Sequence, residues 1–368
     1  MAYRTPRRSA LLSPNSSISS PHLHHARRVS TSSAPTDRPP SPPSQATITV
    51  SVRLKPAPSI PTNSSAQQQQ QPQWTFTPTS LSSPDVGAFT FDHVFDGSAT
   101  SRAVYDATAR SLVHAAVDGY HATVFAYGMT GTGKTYSMRG IPSSPGIIPL
   151  AISDIFAQTS FATTTISVSY LEIYNERVRD LLNPATPHET LKLQDTQSGI
   201  VRVSNLRCVR VTTVQELRDY ISQGDAARRT EGTEYNAVSS RSHAVVQIFL
   251  EKLDSTTALT STSVLSLCDL AGSERAAADA ERRKEGAYIN RSLLALGTII
   301  SRLSSPQTPA SEQHIPYRDS KLTRLLQHSL SGNALVAMLC TVDTAATTRH
   351  AGAETANTLR FAARAKNI

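Results

Sequence analysis

Cysteine is scarce in this chain. Its 368 residues hold three, Cys208, Cys268 and Cys340. They lie far apart and form no C-x-x-C pair. That argues against a disulfide framework or a zinc site and for a reducing compartment. Long apolar runs are missing too: none approaches the ~18 residues that a membrane-crossing helix needs. Acidic residues are nearly absent from the start. Residues 1–45 carry Arg4, Arg7, Arg8, Arg27, Arg28 and Arg38 against Asp37 alone, so this stretch holds +5 of the net +8. A basic segment suits an acidic partner, whether nucleic acid, anionic membrane or another acidic surface.

Residues 1–45 are rich in Ser, Pro and Arg and offer little to bury, which predicts a disordered extension. An Arg- and Ser-rich, acid-poor start also fits a mitochondrial transit peptide. Pro6, Pro14 and Pro21 would break the amphipathic helix such a peptide needs. His22, His24 and His25 fit a solvated tail better than a metal site. Ser9 and Ser30 follow arginine pairs, as basophilic kinases prefer, and phosphates there would cancel the tail's charge. Order is expected from Ala46, with one domain over 46–368. Residues 57–73, with the run Gln67 to Gln71, read as a long surface loop inside it.

Strands and helices alternate through the rest. Residues 47–52 alternate as a strand. Trp74–Phe76 and Phe89–Phe91 read as short strands returning to the same sheet. Asp92 to Phe95 leads into a helix reaching Val117. Helices are expected at 148–156, 213–224, 287–303, 317–330 and 354–365, and strands at 166–173, 244–252, 263–267 and 334–342. The pattern predicts an α/β fold, one sheet with helices on both faces.

Thr123 to Tyr127 is an apolar run ending at Gly128. Met129-Thr130-Gly131-Thr132-Gly133-Lys134-Thr135 then completes the Walker A pattern G-x-x-x-x-G-K-[ST]. Glycines at 128, 131 and 133 let the backbone curl, so that its N–H groups can face phosphate oxygens. A helix starting near Lys134 adds its positive end. Lys134 would reach the β- and γ-phosphates and Thr135 would ligate Mg²⁺. A second apolar strand, Val264 to Cys268, ends in Asp269, the Walker B arrangement, which would hold Mg²⁺ through water. Leu270-Ala271-Gly272-Ser273-Glu274 follows, where the Gly272 N–H could meet a γ-phosphate. The polar cluster Asn236-Ala237-Val238-Ser239-Ser240-Arg241-Ser242-His243 suits phosphate and metal contacts.

GMTGTGKT, NAVSSRSH and DLAGSE, in that order, resemble the P-loop, switch I and switch II of the kinesin motor domain. Arg53-Leu54-Lys55-Pro56 is similar to the family's R-x-R-P, with Lys55 in place of the second arginine. Tyr170 to Glu176 (YLEIYNE), Lys284-Glu285-Gly286, Ile289 to Leu293, His314 to Leu325 and Thr358 to Ala362 also match. The resemblance covers residues 46–368. It is strongest to the seventh kinesin family, especially fungal members.

The resemblance implies a P-loop NTPase fold, a mixed central sheet flanked by helices, with ATP and Mg²⁺ as cofactors. It implies that Arg53, Pro56 and Tyr136 flank the adenine. Lys134 and the amides of 128–133 would hold the phosphates. Thr135 and Ser240 would sit on Mg²⁺, with Asp269 behind a water. Asn236 and Ser239 would face the γ-phosphate. Arg241 and Glu274 would pair on closure, with Glu274 helping to accept a proton through ordered water. The implied partner is the microtubule, met by the 287–303 helix and by Lys284, Arg318, Lys321 and Arg324; neither nucleic acid nor a membrane span is implied. Arg318, Lys321 and Arg324 lie three apart on the expected 317–330 helix and would share a face. The implied activity is a microtubule-stimulated ATPase that moves toward plus ends, in the cytoplasm on the microtubule cytoskeleton. A tether that has lost turnover is the rival reading, against which the intact Lys134, Thr135, Ser240, Asp269 and Glu274 set stands. A GTPase switch would need a guanine-reading N-K-x-D loop, which the chain lacks.

Overall fold

Every residue from Ala122 to Tyr127 is buried. A strand with no solvent face must be covered on both sides, and the order of elements in the computed structural model shows how. The structure describes residues 48–56, 74–196, 199–229, 240–254, 256–274, 280–305, 314–345 and 349–368; over 280–290 and 349–350 it describes the backbone only. These residues belong to one compact unit, Asp37–Ile368. The tail at 1–45 and the loop at 57–73 lie outside the described residues.

β1 (Thr49–Leu54) is followed by a small antiparallel sheet of β2 (Thr75–Phe76), β3 (Ser80–Ser83) and β4 (Gly87–Thr90). β5 (His93–Phe95) pairs with β1. α1 (Ser101–Thr108) and α2 (Arg110–Val117) lead into β6 (Ala122–Tyr127). The loop after β6 opens α3 (Lys134–Arg139), then the hairpin of β7 (Gly140–Ile141) and β8 (Ser144–Pro145), then α4 (Ile147–Gln158). β9 (Thr164–Tyr174) and β10 (Arg177–Asp180) form a hairpin. β11 (Leu193–Asp195) pairs with β12 (Val201–Val203), and β13 (Val209–Val211) joins β9. α5 (Val214–Arg229), β14 (His243–Leu253), β15 (Thr260–Asp269), α6 (Ala280–Leu303), α7 (Lys321–Leu325), β16 (Leu335–Val342) and α8 (Arg349–Ala365) complete the unit.

The main sheet runs β10-β9-β14-β15-β6-β16-β1-β5. From β15 to β5 neighbouring strands are parallel; from β10 to β15 they are antiparallel. The fold is therefore the expected mixed sheet. Alternation along β6 sends Phe125 and Tyr127 into a core with Leu293, Leu296 and Ile300 of α6, Leu322 of α7 and Leu359 of α8. Val124 and Ala126 join a second core with Val104, Leu112, Ile152 and Leu217 of α1, α2, α4 and α5. Helices thus cover both faces, and the loop after β6 emerges between two parallel neighbours, β15 and β16, where open α/β sheets bind ligands.

Three sequence expectations change. The strands near Trp74–Phe76 and Phe89–Phe91 do not return to the main sheet. Ser80–Ser83 lies between them, and Thr75↔Ser82 and Leu81↔Phe89 pair locally. Short loops make that closure the cheaper one. The helix expected up to Val117 is two helices meeting at Ala109, whose backbone departs to φ −119°. The helix expected over 317–330 is also broken. Tyr317–Asp319 is a 3₁₀ turn, and Ser320 is extended and caps α7 by accepting the Thr323 N–H at 3.0 Å. A π-helical turn, Ser329–Asn333, follows, and within it Gly332 takes φ +83°.

Candidate functional site

The loop between β6 and α3 is curled as its glycines allow. Gly128, Gly131 and Gly133 take φ of +147°, +80° and +104°. At Gly131 and Gly133 an added Cβ would meet nothing within 4 Å, so that side of the loop faces open space. Lys134 is buried. Its ammonium folds back to donate to the carbonyls of Gly128 (2.8 Å) and Met129 (3.0 Å). Burial holds its pKa below the usual lysine value, against the pull of Asp269 and Glu274. The structure thus places the lysine on loop carbonyls, contacts that an anion in the loop could exchange for its own oxygens.

Thr135 and Asp269 meet as the two Walker patterns imply. The Thr135 hydroxyl donates to Asp269 Oδ2 at 2.9 Å. Asp269 is 1% exposed, yet its Oδ1 accepts no hydrogen bond among the described residues. A buried carboxylate oxygen left without a donor is costly unless something completes it. A hard cation fits, since Mg²⁺ takes one or two protein oxygens together with phosphate and water. No group of three or more His, Cys, Asp or Glu among the described residues could hold a metal alone.

Sequence reading missed Arg228. It lies near the end of α5, 2% exposed. It donates to Asp269 Oδ2 at 3.0 Å and to the Ser242 carbonyl at 2.8 Å, and its Nε stands 3.5 Å from Glu172 Oε1. Both carboxylates are as buried as the guanidinium. Glu172 was legible only as part of YLEIYNE, and nothing in the α5 sequence distinguishes Arg228 from Arg229.

The segments flanking the loop are tied to it and to each other. Glu274 Oε2 accepts the Thr130 N–H at 2.8 Å, and Oε1 accepts the Thr130 hydroxyl. A Cβ at Gly272 would stand 2.3 Å from both Glu274 Oε2 and Thr130 Oγ1, so a side chain there would displace this contact. The Gly272 N–H donates to the Ser240 carbonyl at 2.8 Å, and the Ser273 N–H to the Gly128 carbonyl at 3.0 Å. Ser240 and Arg241 form the turn before β14. Asn236 and Ser239 lie outside the described residues.

At the expected base end, Arg53 is buried under Tyr136. Its guanidinium donates to Ser137 Oγ (3.0 Å) and the Ala99 carbonyl (3.2 Å) and lies 5.1 Å from the Tyr136 ring centre. Tyr136 is 40% exposed. Pro56 is exposed beside Gly97. Lys55, the departure from R-x-R-P, pairs with Asp343 at 3.2 Å.

On the α6 side, Arg318 and Arg324 come together although no single helix carries them. Both donate to Asp195 Oδ2 of β11, at 3.4 and 2.8 Å. Arg318 is exposed, while Lys321 and Arg324 are half-buried. Glu176 accepts the Lys321 N–H at 2.7 Å and so holds the start of α7. Leu294 on α6 is 71% exposed. Lys284 lies on α6, its side chain outside the described residues.

A Walker loop on the central strand, a threonine–aspartate pair beside it and two loops hydrogen-bonded around it define a P-loop nucleotide-binding fold. Residues 53–368 match the kinesin motor domain family. The chain belongs to that family. It is 48% identical over 298 residues to the kinesin-like protein tea2 of Schizosaccharomyces pombe, covering 79% of this chain and 47% of that one. It is 43% identical over 319 residues to KIP2 of Eremothecium gossypii, covering 80% and 46%. It is 45% identical over 299 residues to KIN-7L of Oryza sativa, covering 78% and 45%. These relatives agree with the resemblance to the seventh family and its fungal members. The chain spans a little under half of their length. A solved structure of a fast kinesin superposes with a TM-score of 0.77 at 36% identity, covering 88% of this chain and 92% of that one.

Proposed function

We propose that this chain is a motor domain that hydrolyses ATP with Mg²⁺, is stimulated by microtubules, and converts turnover into movement toward plus ends. The observation that carries this reading is the hydrogen bond from Thr135 to the buried Asp269, whose Oδ1 has no hydrogen-bond partner among the described residues. A bound Mg²⁺ would neutralise phosphate charge there. Phosphoryl transfer asks the protein for positioning and charge stabilisation more than for covalent chemistry. Lys134 and the loop amides supply the positive cradle, and the part-exposed Tyr136 ring supplies a stacking surface for the base. Glu274, Gly272 and Ser240 join the cradle to both flanking loops, so a change of contacts at Thr130 reaches both. The domain is proposed to run over 46–368, with 1–45 a basic extension whose charge complements acidic tubulin. Arg318, Lys321, Arg324 and the α6 surface are the proposed track contacts, and the cytoplasmic microtubule network the location. The full set Lys134, Thr135, Ser240, Asp269 and Glu274 argues against a tether without turnover.

Two substitutions separate binding from turnover. Glu274→Ala leaves the cradle and removes a carboxylate beside Thr130. It is expected to keep ATP affinity within about threefold while turnover falls by about 10²-fold. Lys134→Ala is expected to weaken ATP binding itself. Near-normal turnover in Glu274→Ala, measured beside fluorescent-nucleotide binding, would remove Glu274 from the reaction.

A further inference from the structure

The last turn of α5 is gripped from two sides. At Asp225 three side chains close a triangle. Arg139, the last residue of α3, pairs with Asp225 and also donates to the Tyr170 hydroxyl of β9. Tyr170 in turn donates to Asp225 Oδ1 at 2.7 Å. Arg139 and Asp225 are 17% and 16% exposed. Tyr170 is fully buried, and burial raises its pKa, so it remains a hydroxyl able to donate and accept at once. A Cβ at Gly224 would stand 2.2 Å from Tyr170 Cδ1, so the α5 backbone lies directly on the ring. Residues three apart share a helix face, and three residues beyond Asp225 stands Arg228, which reaches Asp269.

Neither Arg139 nor Asp225 belongs to a Walker or switch motif. Yet α3 carries Thr135 at its start and Arg139 at its end, and α5 carries Asp225 and Arg228 one turn apart. Thr135 from the first helix and Arg228 from the second donate to the same oxygen, Asp269 Oδ2. The separation of the two helices therefore decides whether both donors can share it. The Arg139–Tyr170–Asp225 triangle is a direct tie between those helices.

We propose that Arg139, Tyr170 and Asp225 form a clasp that positions Thr135 and Arg228 on Asp269 Oδ2, reserving Oδ1 for the cation. They are positioning residues, acting on the metal side of the site through Arg228. The proposal rests on the ATPase reading for its effect on turnover; the coupling between helices does not.

The test compares Arg139→Ala, Asp225→Ala, Tyr170→Phe and the exchange of Arg139→Asp with Asp225→Arg. One readout is the free Mg²⁺ concentration for half-maximal retention of a fluorescent ADP. Each alanine variant is expected to raise it about tenfold, the worth of one charge-assisted hydrogen bond. The exchange, which keeps an ion pair around the tyrosine hydroxyl, is expected to restore it to within about threefold. Tyr170→Phe keeps the ring under Gly224 and is expected to fold if the alanine variants do not. The second readout needs no ligand: a melting-temperature cycle of Asp225→Ala with Asp269→Asn, expected to be non-additive. Unchanged Mg²⁺ dependence, an exchange that folds but does not restore it, or additive melting shifts would overturn the clasp. A wild-type chain that hydrolyses no ATP would instead overturn the proposed function and leave the melting cycle to judge the clasp.

Discussion

His243 has both ring nitrogens engaged. Nδ1 accepts the Ala271 N–H at 3.0 Å, so Nε2 carries the proton and donates to Ser292 Oγ at 2.7 Å. One imidazole thus joins the segment after Asp269 to helix α6. Burial, then the nearby Arg228, pushes its pKa down to about 3. His121 is pushed down to about 4 by burial, His328 and Arg202. Both are neutral in the folded chain, whereas an unfolded histidine titrates near 6.5. Their contribution is complete above about pH 6.5 and is lost as pH falls toward the folded values. Each site costs up to about 1.4 kcal/mol per pH unit in that window. The melting temperature is expected to fall steadily between about pH 6.5 and about pH 4.5, and less steeply in His121→Asn. A midpoint flat across that range would contradict the assignment. The sequence marked His243 only as the last letter of a motif. Its partners come from the segment after β15 and from α6, distant in the chain, and only the fold brings them together. Arg228 was hidden for the same reason, while Lys134, Thr135 and Asp269 were legible because strand, turn and helix are contiguous around them.

At the scale of elements, the surface formed by α6, the 3₁₀ turn and α7 shows where periodicity misleads. Spacing of three put Arg318, Lys321 and Arg324 on one helix face. Ser320 interrupts that helix with an extended backbone and a side-chain cap, and capping outweighs the intrinsic helix preference of the residues beyond it. The two arginines still converge, through Asp195, which the sequence offered no reason to notice. Exposed ion pairs of this kind are weak and sensitive to salt. Arg318→Glu with Lys321→Glu is expected to raise the half-saturating microtubule concentration at least tenfold at low salt, since rim charges govern encounter. Asp195→Asn is expected to act in the opposite sense, because it frees both arginines for an acidic partner. An unmoved half-saturation in a microtubule titration of the charge-reversed chain would place this surface off the track.

At the scale of the molecule, the fold class followed from alternating strands and helices, and the structure bears it out. What remained hidden was the division of the sheet. β9, β14 and β15 pair antiparallel, while β15, β6, β16, β1 and β5 run parallel, and buried strands of both kinds read alike as apolar runs. That division places the loop between two parallel strands. It also sends Asp269, at the end of β15, and Lys134, at the start of α3, to the same edge. Helices on one face carry the proposed track surface, and helices on the other carry Arg228 and the clasp. The central claim is that these two faces act on one nucleotide site. Its most direct measurement is the ATPase rate of the full chain with and without microtubules, at saturating ATP and Mg²⁺. We expect a slow basal rate that rises at least tenfold with microtubules and saturates. A rate that microtubules leave unchanged would contradict it.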